Sequence, residues 1–388
     1  MQPLPVLAIL AVLLPPVAAT AGPDAPPLAP GALVAAGDQR RFSLRAREAS
    51  PESLLLNLHA QTGLTVVAPP DAPVTVEFAD LPARAGAARI GAALGGLVPL
   101  RASWDDPRPG ARHPRAETYY LVRPGSRRRQ LLDAYALEQS GVAHERLFEL
   151  LTAEGGALLP DALAQTRDAA RGERERVLTI KLIGSLGVPE ATDPLVAILR
   201  DGPGSTDRQA AAIALGWAGR PEAIPALRAA LAGPDVDVAL SAAWALLRLG
   251  DRSGVPVALS HARGRHALPA LEVIAATGDP AHIPALEAGL AESRGLARLR
   301  TRTTIADLGM ARLDEAGKIL AAERLLADPD FEIRRHGAGV LARLGTPSAR
   351  EKLERISADA SRAGASEAAE AAARLRRSRH PPPEVTFE

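Results

Sequence analysis

The chain has 388 residues, 47% hydrophobic and 23% charged, and its 46 basic and 45 acidic residues leave a net charge of +1. That balance gives no field pointing to nucleic acid or an anionic membrane. The absence of cysteine excludes disulfides, thiol catalysis, thiolate metal sites and a lipidated N-terminal cysteine. Aromatic residues make up only 3%, so any core must be built from Ala, Leu, Val and Ile, which suits closely stacked helices.

Residues 6–14 (VLAILAVLL) are a compact apolar run, followed by Pro15, Pro16 and the small-x-small steps VAA and ATA. The run is well short of the roughly 20 residues of a spanning helix and matches the apolar region of a signal peptide, although no Lys or Arg precedes it. The expectation is a signal peptide over 1–21 and a periplasmic or secreted chain with no transmembrane segment once mature. A retained N-terminal segment is the alternative.

Residues 22–40 are rich in Pro and Ala without periodicity and read as a disordered leader. From 41 to 123 the pattern is a small α+β domain in the order βαββαββ. A strand fits residues 42–45, and Ser50-Pro51 opens a helix running to Gly63. Strands fit 64–67 and 74–78 across an APPDAP turn, a helix fits 82–94, and strands fit 100–104 and 118–122. The loop DDPRPGARHPRAE between the last two reads as mobile. Residues 124–172 are a basic join, containing Arg127-Arg128-Arg129, and a helical cap.

The segment Phe42-Ser43-Leu44, the helix through Leu58 and the step His59-Ala60-Gln61-Thr62-Gly63-Leu64 resemble the short N-terminal domain shared by secretins and TonB-dependent receptors. The resemblance covers about 80 residues of the chain. It implies a periplasmic docking module without catalytic residues. No barrel follows it here, so neither a receptor nor a pore is implied.

From about 173 onward an internal repeat dominates. The step [Ile/Leu]-x-x-[Leu/Ala/Thr]-Gly ends at Gly187, Gly219, Gly250, Gly278, Gly309 and Gly345, at intervals of 28 to 36 residues. Each glycine is placed to end a helix in the left-handed conformation. Pro194, Pro225, Pro256 and Pro284 follow the first four, near the start of the next apolar helix. The phrases Arg220-Pro221-Glu222-Ala223-Ile224-Pro225-Ala226-Leu227 and Asp279-Pro280-Ala281-His282-Ile283-Pro284-Ala285-Leu286 are two copies of one helix opening. These phrases resemble HEAT repeats, of the short kind also seen in phycobilisome-lyase-type proteins. The fold expected is mainly α: a right-handed α-solenoid of about six to seven HEAT-like helix pairs over 173–378, with a disordered tail at 379–388.

Seven residues before each apolar marker stand Arg176, Arg208, Ala239, Ala267, Arg298 and Arg334. Two readings compete: a cationic ladder on the concave face for an acidic partner, or ion pairs to the start of the neighbouring helix that hold the stack together. Two residues before the marker, Trp244 either anchors a partner or packs on the next repeat. Trp217 reads as packing. Basic clusters at Arg298–Arg302 and Arg334-Arg335-His336 read mainly as solvated surface. The partner-binding candidates are therefore Arg208, Trp244, Arg298, Arg302, Arg334 and Arg335.

No catalytic, cofactor-binding or metal-binding set emerges. The eight histidines include no HExxH, and there is neither a GxSxG elbow nor a phosphate loop. Taken together, the sequence points to an exported, non-enzymatic adaptor that binds proteins through the solenoid, docks an envelope component through the N-terminal domain and takes no nucleic acid. The alternatives are a HEAT-scaffold enzyme or subunit, lyase- or chaperone-like, and a cytosolic assembly scaffold.

Overall fold

The structure, a computed structural model, describes residues 28–69, 73–105, 115–138, 141–377 and 385–387. The expected signal peptide and most of the expected mobile loop lie outside these residues. The chain divides into two compact units, one formed by residues 1–144 with 383–388 and the other by 145–382.

The first unit contains β1 (Leu33–Gly37), β2 (Arg41–Ala49), α1 (Pro51–Thr62), β3 (Thr65–Val67), β4 (Val74–Pro82), α2 (Ala83–Ala93), β5 (Val98–Asp105), β6 (Arg115–Val122) and α3 (Arg127–Leu137). The described strands form two sheets, β1-β2-β4 and β3-β6-β5-β7, where β7 (Val385–Phe387) comes from the end of the chain. Every pairing is antiparallel except β3 with β6.

Local signals account for these elements. Ser50 caps α1 by accepting from the Ser53 amide, and Gly63 ends the helix at φ 74°. One face of α1 buries Leu54 and Leu58 in a core with Phe42, Leu44, Phe78 and Ile90. Phe42 and Phe78 meet edge to face at 5.1 Å. Ser126 caps α3, so Arg127-Arg128-Arg129 form the first turn of a helix rather than a join. α3 buries Leu131, Leu132 and Tyr135 and belongs to the first unit.

Two expectations need correction. Residues 33–37, assigned to the leader, form β1, because alternate backbone pairing with β2 from Leu33↔Ala46 to Gly37↔Phe42 orders them despite their weak pattern. Residues 385–387, assigned to the disordered tail, pair with β5. The strand order accordingly gains an element at each end.

The second unit is a stack of helix pairs. α4 (Val142–Ala153) crosses the unit boundary. The pairs that follow are α5 (Leu159–Arg167) with α6 (Glu173–Ser185), α7 (Thr192–Asp201) with α8 (Ser205–Ala218), and α9 (Ile224–Leu231) with α10 (Val236–Arg248). Then come α11 (Val255–Ser260) with α12 (Ala267–Ala276), and α13 (Ile283–Leu290) with α14 (Gly295–Met310). The last two are α15 (Glu315–Leu326) with α16 (Phe331–Leu344), and α17 (Pro347–Ala358) with α18 (Ala365–Arg377). The stack thus begins at α5, earlier than the glycine phrases suggest, and has seven pairs among the described residues. The second helices pack in succession, α6 on α8, α8 on α10, and so on to α18.

Small residues permit that succession. A Cβ on Gly184 of α6 would stand 2.5 Å from Cα of Ala214 of α8, and one on Gly216 of α8 would stand 2.9 Å from Cα of Ala245 of α10. Gly187, Gly219, Gly250, Gly278 and Gly345 take φ between 59° and 83° at helix ends. Gly309 does not: α14 runs through it to Met310, and Asp314, whose carboxylate accepts from the Gly317 amide, opens the next helix, α15. This capping also replaces the helix-opening proline missing from that repeat.

Replacing Gly184 by Ala forces α6 and α8 apart and should cost about 1–3 kcal/mol. Leu246→Ala, at a side chain fully buried in α10, should cost about 2–5 kcal/mol. In a nearest-neighbour stack amide exchange should rise around the altered helix and little in α17 and α18. A uniform rise along the whole stack would contradict this description.

Candidate functional site

The arginine register is used within the stack. Arg176 of α6 forks onto Asp207 of α8, with Nε–Oδ1 and Nη2–Oδ2 both at 3.1 Å, and Asp207 is only 1% exposed. Its remaining nitrogen donates to the Arg171 carbonyl at 2.8 Å. Arg208 of α8 donates to the Gly202 carbonyl at 3.0 Å and to Asp235, the N-cap of α10, at 3.3 Å. Arg302 of α14 reaches Asp328 at 2.7 Å and Asp330, the N-cap of α16, at 3.3 Å. Arg334 of α16 bonds Glu367 of α18 at 2.8 Å and the carbonyls of Asp328 and Pro329.

Each of these arginines reaches from one second helix toward the start of the next, where carboxylates already satisfy free amides and face the positive end of the helix dipole. At Ala239 and Ala267 the register has no arginine. A histidine closes the first of these gaps, between α10 and the start of α12: His266 Nδ1 lies 2.8 Å from Asp237 Oδ1, while Arg265 Nε donates to His266 Nε2 at 2.7 Å. That geometry assigns the His266 proton to Nδ1. Arg298 instead donates to the Leu290 carbonyl at 2.6 Å and stays exposed. The guanidinium groups of Arg208, Arg302 and Arg334 are therefore committed inside the stack.

The carboxylates carry matching shifts. The Ser205 hydroxyl, followed by the Val238 and Asp237 amides and Arg208, holds Asp235 below the usual carboxylate range against the opposing effect of burial. Burial is the largest influence on Glu367 and pushes it up. Hydrogen bonds from Ser366, its own amide and Arg334 together outweigh burial, and the net shift is down. Lys352 and then Arg362 lower Glu323, again against burial.

What the stack does not absorb is a group of aromatic and arginine side chains on α8 and α10. Trp217, read from sequence as packing, is 40% exposed. Trp244 is half-buried, its ring lying over Gly216, where a Cβ would come within 3.2 Å of it. Arg248, one turn further along α10, is exposed; its guanidinium stands 5.1 Å above the Trp244 ring and its Nε donates to the Gly216 carbonyl at 3.3 Å. Arg248 was missed, although its i+4 spacing from Trp244 signals the contact. A second such group is Phe331, 47% exposed, with Arg334 and Arg335 each 5.8 Å from its ring. Arg335 also pairs with Glu332, one turn earlier.

Two clefts lie along the stack. One, about 310 Å³, runs between α16 and α18, with Arg335, Arg343 and Arg374 over a floor of Ala338, Gly339 and Ala371. The other, about 520 Å³, lies beside α5 and α7, and its charged groups include the Arg176–Asp207 pair, already bonded to each other. Among the described residues no group of three or more His, Asp or Glu could hold a metal ion, and no helix is long and apolar enough to cross a membrane.

Two expected outcomes follow from the ion pairs. Arg176→Ala leaves Asp207 buried without its partner and should destabilise the stack by about 3 kcal/mol in urea unfolding. Arg200→Ala, at a fully exposed pair with Asp201, should leave unfolding unchanged. The carboxylate shifts are downward, so the stability they confer is complete above the unfolded carboxylate pKa of about 4 and is lost as pH falls through the lower folded values. Urea midpoints should therefore be level above about pH 5 and fall below about pH 4, and Glu367→Gln should make the acid limb shallower. An acid limb equally steep in that variant would remove Glu367 from the account.

Comparison with known proteins places this architecture. Residues 160–247, the span of α5 to α10, match the HEAT repeats family. Among solved structures, the complex of CpcE and CpcF of phycocyanin lyase from Nostoc sp. PCC7120 is similar at 21% identity and a TM-score of 0.38, over 56% of this chain and 94% of that one. Human deoxyhypusine hydroxylase in complex with glycerol is similar at 19% identity and a TM-score of 0.28, over 64% and 96% respectively. Likenesses at that level say nothing about activity. No curated protein matches the sequence. The second unit is a helical solenoid, and its first three pairs carry HEAT repeats.

Proposed function

We propose that this chain is a non-enzymatic adaptor whose solenoid binds another protein through the face of α8 and α10 bearing Trp217, Trp244 and Arg248. The observation carrying this reading is selective exposure. In a chain with three tryptophans, one is 40% exposed and another lies beneath the exposed Arg248 on the same helix, while the periodic arginines are occupied inside the stack. Tryptophan and arginine are the residues most often dominant in protein interfaces. The exposed Arg298 and Arg335 extend the candidate surface toward the C-terminal repeats.

The N-terminal unit, in this reading, docks an envelope component, as its resemblance to the secretin and TonB short N-terminal domain implies, and the chain is exported by the apolar segment at residues 6–14. A HEAT-scaffold enzyme remains the rival. It would need a ligand in the cleft beside α5 and α7, and an activity lost in Arg176→Ala without loss of folding would favour it.

The test is affinity capture from envelope extracts with the full chain and its Trp217→Ala and Arg248→Ala variants. The captured protein should bind each variant about tenfold more weakly or worse, with thermal unfolding of both variants unchanged. Unaltered capture by both would rule out this face. Sequencing the N-terminus of the native protein should give a start after residue 19 or 21; a start at Met1 would defeat export.

A further inference from the structure

α16 carries two glycines, and only one of them serves the packing of helices. A Cβ on Gly337 would stand 2.8 Å from the Ala322 carbonyl oxygen and 2.8 Å from Cβ of Leu325, both on α15. A Cβ on Gly339 would meet only the tip of Arg343, whose Nη1 lies at 3.3 Å. Glycine inside a helix costs stability relative to alanine, so packing gives no reason for Gly339. In the preceding repeats the same position holds Lys181, Ile213, Trp244, Glu272 and Thr303. In α16 it is bare.

That bare position, with Ala338 and Ala371, floors the cleft of about 310 Å³ between α16 and α18. Arg335, Arg343 and Arg374 stand around it. Two of the three are already occupied, Arg335 by Glu332 and Arg374 by Glu370. Glu367, buried in the cleft wall, is held by Arg334 at 2.8 Å. Among the described residues Arg343 has no hydrogen-bond or ion-pair partner, and its guanidinium folds back over Gly339. The cleft therefore holds one cation more than its carboxylates use. That excess fits a single carboxylate, while Glu332 and Glu370 beside it repel a phosphate dianion or a polyanion. At the head of α16, Phe331 is 47% exposed, with the Arg335 guanidinium 5.8 Å from its ring. The helix from Phe331 to Arg343 is about 18 Å long, a distance that an extended chain spans in about five residues.

We propose that this cleft binds a short extended segment of a partner protein through one glutamate. The glutamate carboxylate takes the free N–H groups of Arg343, and its methylenes lie on the glycine and alanine floor. An apolar residue about five positions away covers Phe331. Gly339 gives up helix stability and leaves the room that the ligand fills. The site shares only Arg335 with the surface proposed above and does not rest on the tryptophan face of α8 and α10.

The probes are the peptides LAAAAE and EAAAAL, acetylated and amidated so that glutamate is the sole charge, titrated calorimetrically into the full chain. The better of the two should bind one to one, and its glutamine counterpart at least about tenfold more weakly. Gly339→Leu fills the floor and Arg343→Gln removes the free cation; each should weaken binding about tenfold or more. The thermal midpoint of Gly339→Leu should stay level or rise, because leucine is the better helix former. Should that variant unfold, Arg343→Gln, at an exposed side chain, keeps the test decisive. Trp217→Ala should bind the peptide unchanged. Failure of both peptides to bind, equal binding of the glutamine form, or unaltered binding in Arg343→Gln or a folded Gly339→Leu would overturn the proposal. So would loss of binding in Trp217→Ala, which would place the peptide on the other face. Displacement by inorganic phosphate more readily than by propionate would overturn it too, because the site would then take a phosphorylated ligand.

Discussion

In the first three pairs the second helices can stack as closely as they do because glycine and alanine meet where they cross. Gly184 meets Ala214, Gly216 meets Ala245, and at each point a methyl group on the glycine would overlap the opposing backbone. Gly254, at the head of α11, has the same relation to Ala243, 2.5 Å from a Cβ. The low aromatic content follows from this constraint: interiors at such close approach have room for Leu, Val and Ala, and large rings must go elsewhere. In the first unit the rings go inward, as Phe42 and Phe78 do; in the solenoid Trp217 and Phe331 are left facing solvent.

Close backbones also dictate the charges. Each second helix presents free amides at its N-terminus, and a neighbour pressed against it brings an arginine to the carboxylates that cap them. Asp207, Asp235, Asp330 and Glu367 hold these posts, each meeting an arginine of the preceding second helix. Where Ala239 interrupts the register, Asp237 of α10 and His266 at the head of α12 make the link with the roles reversed, acid on the earlier helix and base on the later. A buried pair of this kind is weak evidence of net stability but fixes which helix sits against which, a useful property in a stack of near-identical parts that could otherwise slip by one repeat.

Much of this was legible in the chain, for reasons that differ from element to element. The solenoid announces itself because every repeat solves one packing problem with the same residues, so Gly, Pro and Ala recur in phase. α1 was readable from Ser50, Pro51 and Gly63, which act locally. β1 and β7 were not, since a short strand without alternation is specified by the partner it meets and not by its own sequence; Ala35 and Thr386 become strand residues only beside Leu44 and Ser103. Gly309 misled for the converse reason. It keeps the repeat's sequence mark, but α14 runs one residue past it to Met310, and an aspartate cap five residues on opens α15. At the candidate surface, the register of Trp244 was visible, while the exposure of Trp217, beside a Gly216 packed on α10, could not be counted from spacing.

In a quasi-one-dimensional stack, whatever recurs in every repeat serves the contact between repeats, because that contact is what the repeats share. Arg176, Arg208 and Arg334 recur, and the structure spends them on neighbouring helices. Binding a particular partner requires the opposite, a place where one repeat differs from the rest. The counterparts of Trp244 are Ile213 before it and Glu272 after it, and Trp217 and Arg248 fill one shared position that is Ser185 in the preceding pair and Ala276 in the following one. Periodicity therefore marks the framework of this molecule, and its departures from periodicity mark the surfaces that can distinguish one partner from another.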